Sequence, residues 1–112
     1  MHELSVTQSL LEIALRHGEA AGAQRIVRLN MVVGELASIV NDSVQFYWDI
    51  FSQGTPAEGA QLNFTRVPME MTCLDCARTF LPAGEFVCPH CASPRVIVSA
   101  GEELRVDSID IE

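Results

Sequence analysis

TCLDCARTFLPAGEFVCPHC, residues 72–91, carries every cysteine of the chain. Cys73, Cys76, Cys88 and Cys91 form two Cys-x-x-Cys pairs separated by eleven residues. Each pair can close a tight turn that aims two sulfurs at one point. The intervening ARTFLPAGEFV, with Pro82 and Gly84 near its middle, can reverse the chain and bring the turns face to face. Four thiolates at ~2.3 Å suit zinc, with iron as the alternative for the same sulfur tetrahedron. Four protein ligands leave no open position for a substrate or a water, so the expected metal is structural. A thioredoxin-like redox dithiol is the competing reading, but that motif follows a strand, opens a helix and needs no second copy. His90, between Pro89 and Cys91, is expected to face solvent, available to the coordination sphere only if a thiolate is lost.

Around this stretch lie 112 residues in all, one domain's worth of chain. A chain of that size buries about two thirds of its unfolded surface. The net charge is −8, and all seven cations are arginines. Affinity for phosphate backbones rests on clustered cations, so the balance argues against nucleic acid as a partner. The longest apolar runs, such as 26–33, are broken by arginine and asparagine. They fall far short of the ~20 residues of a membrane helix. Glu3 and Glu12 sit where an export signal needs a basic region and an uncharged apolar stretch. A cytoplasmic protein is expected, and structural disulfides rarely persist in that reducing compartment.

The flanking sequence alternates helices and strands. A first helix is expected from about Ser5, capped by its hydroxyl with Gln8 reaching back. Leu4, Leu11, Ala14 and Leu15 would form its apolar stripe, and Gly18 would end it after His17, a partner for the helix dipole. In RIVRLNMVV, Val27, Leu29, Met31 and Val33 alternate with Arg28 and Asn30, which predicts a strand with one buried face. Asn41, Asp42 and Ser43 are cap candidates for a second helix, whose Val44, Tyr47, Trp48 and Phe51 recur at helical spacing and read as core. GTPAEG turns into the strand QLNFTRV, which Pro68 ends. In the closing ELRVDSIDIE, Leu104 with Val106 and Ile109 with Ile111 are out of phase by one residue, which predicts a β-bulge at Asp107 and Ser108.

The fold class expected is therefore mixed α/β: two helices packed on a small three-stranded sheet, with an inserted zinc-ribbon-like domain built on the four cysteines. Boundaries near Pro68 and Ala100 divide the chain into residues 1–68 plus 100–112 and an insert at 69–99.

The terminus, MHELS, has its own chemistry. An initiator methionine before a bulky histidine is expected to survive processing. The α-amine of Met1, the His2 backbone nitrogen and the His2 imidazole can then converge on one ion, closing a five-membered and a six-membered chelate ring. A neighbouring peptide nitrogen would supply the fourth donor. Such a planar nitrogen set favours nickel(II) or copper(II), and gives zinc and magnesium no comparable reason to bind. Glu3 could orient the imidazole as an acceptor behind it.

MHELS, VGELASIV, GTPAEGAQL, the paired knuckles and GEELRVDSIDIE together resemble the nickel metallochaperones of hydrogenase maturation, the HypA/HybF family, over the whole chain. The resemblance implies a nickel-binding α/β domain with His2 as principal nickel ligand. It also implies a separate domain in which Cys73, Cys76, Cys88 and Cys91 hold structural zinc. By the same resemblance the protein works with the maturation GTPase HypB to deliver nickel to the hydrogenase large subunit, and in some organisms to the urease maturation proteins. The family often has glycine after the second cysteine of each knuckle, where this chain has Ala77 and Ala92. A residue forced left-handed there costs ~1 kcal/mol. The rival readings are a zinc-ribbon interaction module and an enzyme. The first lacks a basic patch, since only Arg78 and Arg95 lie near the knuckles. The second lacks any paired-carboxylate, Ser-His or Cys-His constellation, so no enzyme is expected.

Overall fold

The computed structural model describes residues 3–39, 41–84 and 86–112. Two helices and six strands follow in the order α1 (Glu3–Ala20), β1 (Ile26–Gly34), α2 (Asn41–Phe51), β2 (Gln61–Val67), β3 (Glu70–Cys73), β4 (Thr79–Phe80), β5 (Val96–Ala100) and β6 (Leu104–Ile111). They build two three-stranded sheets, β2-β1-β6 and β4-β3-β5.

In the first sheet β1 lies between the two strands that flank the insertion, so β2 and β6 meet through it rather than with each other. β1 and β2 run parallel, with Leu29 opposite Leu62 and Met31 opposite Phe64. Parallel neighbours need a crossover, and α2 supplies it. β6 runs antiparallel to β1, and its register places Asn30 opposite Ser108 but Met31 opposite Val106. Asp107 is thus the extra residue of a bulge where the phase slip predicted one. A second shift leaves Val27 unmatched between Ile26 and Arg28, and this the alternation did not foretell. It turns Ile26 into the core, while Val27 is only half-buried. Ile109 packs against the core, whereas Ile111, expected beside it, is exposed.

The core is Val6, Leu10 and Ala14 of α1 against Leu29, Met31, Val33, Leu62 and the α2 pair Val44 and Trp48. Tyr47 and Phe51 of α2 are half-buried. Three features of α1 differ from expectation. The helix is already formed at Glu3, whose carbonyl accepts a bond from Thr7 Oγ1 at 2.5 Å, so Ser5 is an exposed interior residue and not a cap. Leu4 is exposed as well, because the buried stripe runs through Val6, Leu10 and Ala14. Gly18 does not end the helix either. A Cβ there would sit 3.0 Å from Ile26 Cδ1, so this glycine makes room for β1. The stop lies at Gly22 (φ 69°), with Ala23 N donating to Gly18 O (2.9 Å) and Gly22 N to Glu19 O (3.0 Å). That is the double bond pattern of a left-handed helix terminator.

The two sheets are joined at a tight crossing of β1 with the strand connection before β6. A Cβ on Gly34 would fall 2.0 Å from Gly101 O, so backbone passes against backbone. Gly34 N donates to Glu103 O (2.6 Å) and Leu36 N to Gly101 O (2.7 Å). The Glu35 carboxylate accepts from Met69 N (3.0 Å) and that of Glu103 from Gly101 N (2.7 Å). The molecule is elongated, with extents of 55 × 25 × 16 Å and a radius of gyration of 17.8 Å. A single compact domain of this length would have a radius of gyration of ~13 Å.

Candidate metal centre

Two copies of one local structure bring the cysteines together. Cys73 ends β3, and the chain turns so that Ala77 N donates to Cys73 O (2.9 Å) while Cys73 N donates to Arg78 O (2.9 Å). The second pair repeats both bonds: Ala92 N to Cys88 O (2.8 Å) and Cys88 N to Ser93 O (2.9 Å). In each turn a backbone amide also points at the first sulfur, Cys76 N at Cys73 Sγ (3.5 Å) and His90 N at Cys88 Sγ (3.4 Å). Closing the turn requires a left-handed residue after the second cysteine, and both positions are alanine: Ala77 has φ 63° and Ala92 φ 60°. Two alanines thus adopt a backbone geometry that glycine takes at least cost.

The four sulfurs lie within 4.8 Å of one another, and Cys73–Cys91 and Cys76–Cys88 are 3.6 Å apart. Metal–sulfur bonds of ~2.3 Å arranged tetrahedrally put sulfurs about 3.8 Å apart. The arrangement therefore fits one tetrahedral ion of zinc size. Cys73 and Cys88 are buried, Cys76 is half-buried and Cys91 faces solvent.

Crowding splits the titration of these thiols. Burial pushes the Cys88 thiol up, but the Cys91 and His90 amides and the neighbouring thiols outweigh it and hold the group at about 7. For Cys91 the Ser93 amide lowers the value, yet the Cys73 thiol and burial prevail and push it up to about 12. At Cys76 the Arg78 amide pulls down, while burial and the Cys88 and Cys73 thiols carry it upward. Neighbouring thiolates repel, and a divalent cation removes the conflict because thiolate is the ligand form.

Residues that the spacing of cysteines did not single out lock the turns together. Asp75, inside the first pair, binds Arg95 Nη1 at 2.5 Å and accepts from Ser93 Oγ. Arg95 N in turn donates to Ser93 Oγ (3.1 Å), and Leu74 N to Arg95 O (2.8 Å). Arg78 Nη1 lies 3.0 Å from His90 Nδ1, so His90 faces outward as expected, its Nδ1 accepting from the guanidinium. Both arginines near the knuckles thus bond within the turns, Arg78 to His90 and Arg95 to Asp75. The signal for this brace in the sequence was faint, an acid inside the first pair and an arginine shortly after the second.

Of the sequence-predicted site residues, the structure unites Cys73, Cys76, Cys88 and Cys91. Met1 and His2 lie outside the described residues. The first described residues, Glu3, Leu4 and Ser5 of α1, line a concavity together with Ser43 and Tyr47 of α2. No described helix is long and apolar enough to cross a membrane.

A mixed α/β fold carrying four cysteine sulfurs at tetrahedral spacing is that of a protein built to hold a metal ion. A family model described as hydrogenase/urease nickel incorporation, metallochaperone, hypA matches residues 1–111. A hydrogenase maturation factor HypA of Dehalococcoides mccartyi is 45% identical, covering 100% of this chain and 95% of that protein. Another, from Geobacter sulfurreducens, is 40% identical over the full length of both. Among solved structures, the solution structure of a HypA protein superposes with a TM-score of 0.81 at 28% identity, covering 100% of this chain and 97% of that one. The Ni metallochaperone HypA from Helicobacter pylori gives 0.69 at 27%, covering 99% and 97%. The chain belongs to the HypA family of hydrogenase maturation factors.

Proposed function

We propose that this protein carries nickel(II) on its amino terminus, held by the Met1 amine, the His2 backbone nitrogen and the His2 imidazole, and delivers it to the hydrogenase large subunit. It works in the cytoplasm with the maturation GTPase HypB, and in some organisms serves urease maturation as well. Nickel here is cargo and no bond of a substrate is made or broken, so the protein acts as a carrier and not as an enzyme. The observation that carries this reading is the whole-chain match to the nickel-incorporation family. Cys73, Cys76, Cys88 and Cys91 hold structural zinc in a domain spanning 69–99, while 1–68 and 100–112 form the nickel-binding domain. The thiolate donor set and its spacing support zinc, and the elongated shape with two separate sheets supports the division.

The chemistry suits a carrier. A closed sulfur cage holds its ion permanently, whereas a terminal chelate can be protonated and opened. Lengthening the terminus by two residues, or acetylating it, abolishes nickel binding as thoroughly as His2→Ala, with zinc retained. Nickel affinity unchanged in either altered protein removes the amine and His2 from the site.

A further inference from the structure

α2 presents two faces. Val44 and Trp48 are wholly buried, but Phe46 is 61% exposed and Ile50 46%, one helical turn apart on the opposite side. Phe46 meets Tyr47 edge-to-face at 5.4 Å, and Tyr47 stacks on Phe51 at 6.0 Å, so the rings form a continuous row. Tyr47 also borders the concavity shared with Glu3 and Leu4, and Leu4 is itself 41% exposed. Adjoining exposed apolar side chains rimmed by polar residues are the kind of surface on which proteins dock.

The charges around it have one sign. The helix NDSVQFYWDIF contains Asp42 and Asp49 and no cation. Both carboxylates are exposed, and among the described residues neither forms a salt bridge. Asp49 is held in place by Gln45 Nε2 at 2.9 Å. The nearby Arg66 is turned to Ile39 O and Asn41 Oδ1 at the start of the helix.

The geometry points to the Phe46–Ile50 face of α2, with Leu4 beside it, as the docking surface for a partner protein that offers exposed apolar side chains ringed by lysine or arginine. Charge complementarity selects this occupant: the helix supplies only carboxylates, and a second copy of the chain, with net charge −8, would bring like charge to the same place. The Tyr47 end of the surface adjoins Glu3, Leu4 and Ser5, the first described residues of α1. The inference rests on the carrier reading above, and the purified maturation GTPase is the probe.

Titrating the GTPase into the nickel-loaded full-length protein reads the affinity. Phe46→Ala with Ile50→Ala weakens binding about tenfold or more, as truncation of central apolar anchors does. Asp42→Asn with Asp49→Asn slows association and flattens its dependence on salt between about 0.05 and 0.5 M. Both double variants keep the wild-type melting temperature and nickel affinity, because the altered side chains lie outside the core. GTPase affinity unchanged in both variants, or no binding by the wild type, overturns the surface. A wild-type dimer that Phe46→Ala dissociates also overturns it, since a second copy would then be the occupant. Loss of nickel binding on the wild-type chain would instead sink the carrier reading, and the two failures are read in separate titrations.

Discussion

Replacing Ala77 and Ala92 by glycine should strengthen metal binding by the four-cysteine turns, against the usual direction of glycine substitutions. Both residues sit in the left-handed region, at φ 63° and 60°. A side chain there costs ~1–2 kcal/mol per residue. Glycine removes that strain but adds unfolded-chain entropy worth ~0.5–1 kcal/mol. The amide bonds to Cys73 O (2.9 Å) and Cys88 O (2.8 Å) are kept, and both methyl groups are exposed, so little burial is lost. The difference leaves ~0.5–1 kcal/mol per position in favour of glycine, or about 1–2 kcal/mol for the pair. Because metal binding and folding of the knuckles are linked, the gain appears as zinc held about 5–30 times more tightly. Competition with a chromophoric chelator at constant pH measures it. A double variant that binds zinc no better than wild type refutes the argument that these alanines are strained, whereas Ala77→Val, which adds a β-branch, must weaken binding.

Four further outcomes follow from particular contacts. Gly34→Ala places a methyl 2.0 Å from Gly101 O, where only backbone could yield; a loss of ~3 kcal/mol or more is expected in urea unfolding, and a near-neutral effect would mean the strand crossing is loose. Ser52 is fully buried and its Oγ has no hydrogen-bond partner among the described residues; Ser52→Ala should be neutral or stabilising by about 1 kcal/mol, read from the thermal midpoint, and a clear destabilisation would reveal a hidden partner. Structural zinc supplies ~10–16 kcal/mol of apparent binding energy, so Cys73→Ser should release amide exchange across 69–99 while β1 and α2 stay protected; both halves melting together would contradict the two-domain division. In the metal-free, reduced protein Cys88 titrates at about 7, below an ordinary thiol, so its thiolate appears as pH rises through that value and is lost as pH falls through it. Thiolate absorbance in that range should vanish in Cys88→Ser, and its persistence would assign the low value elsewhere.

The parts of the fold legible in the sequence are those written in short-range chemistry. The cysteine cluster is one: its turns close through bonds no longer than five residues, from Cys73 to Arg78 and from Cys88 to Ser93, so the spacing nearly dictates them. The Asp107 bulge is another, because a strand that switches its buried phase must absorb one residue somewhere. The order of α1, β1, α2, β2 and β6 was legible for the same reason, whereas β3, β4 and β5, which form the second sheet around the cysteines, were not singled out.

Tertiary structure alone decided the rest. Ser5 and Gly18 carry good local signals for a helix start and stop, yet α1 begins by Glu3 and runs to Ala20, since β1 needs Gly18 as space and the Thr7 and Gly22 bonds hold the two ends. Whether Leu4 or Val6 faces inward, and whether Val27 or Ile26 does, is fixed by partners far along the chain. The same holds for the Asp75–Ser93–Arg95 brace and for the Gly34–Gly101 crossing. The sequence by itself determined that the four cysteine sulfurs would meet, because ligand spacing and turn closure are local. Which apolar side chains were left uncovered on α2, and which backbones had to pass within touching distance, only the packing of distant segments could settle, since burial is a property of neighbours and not of residues.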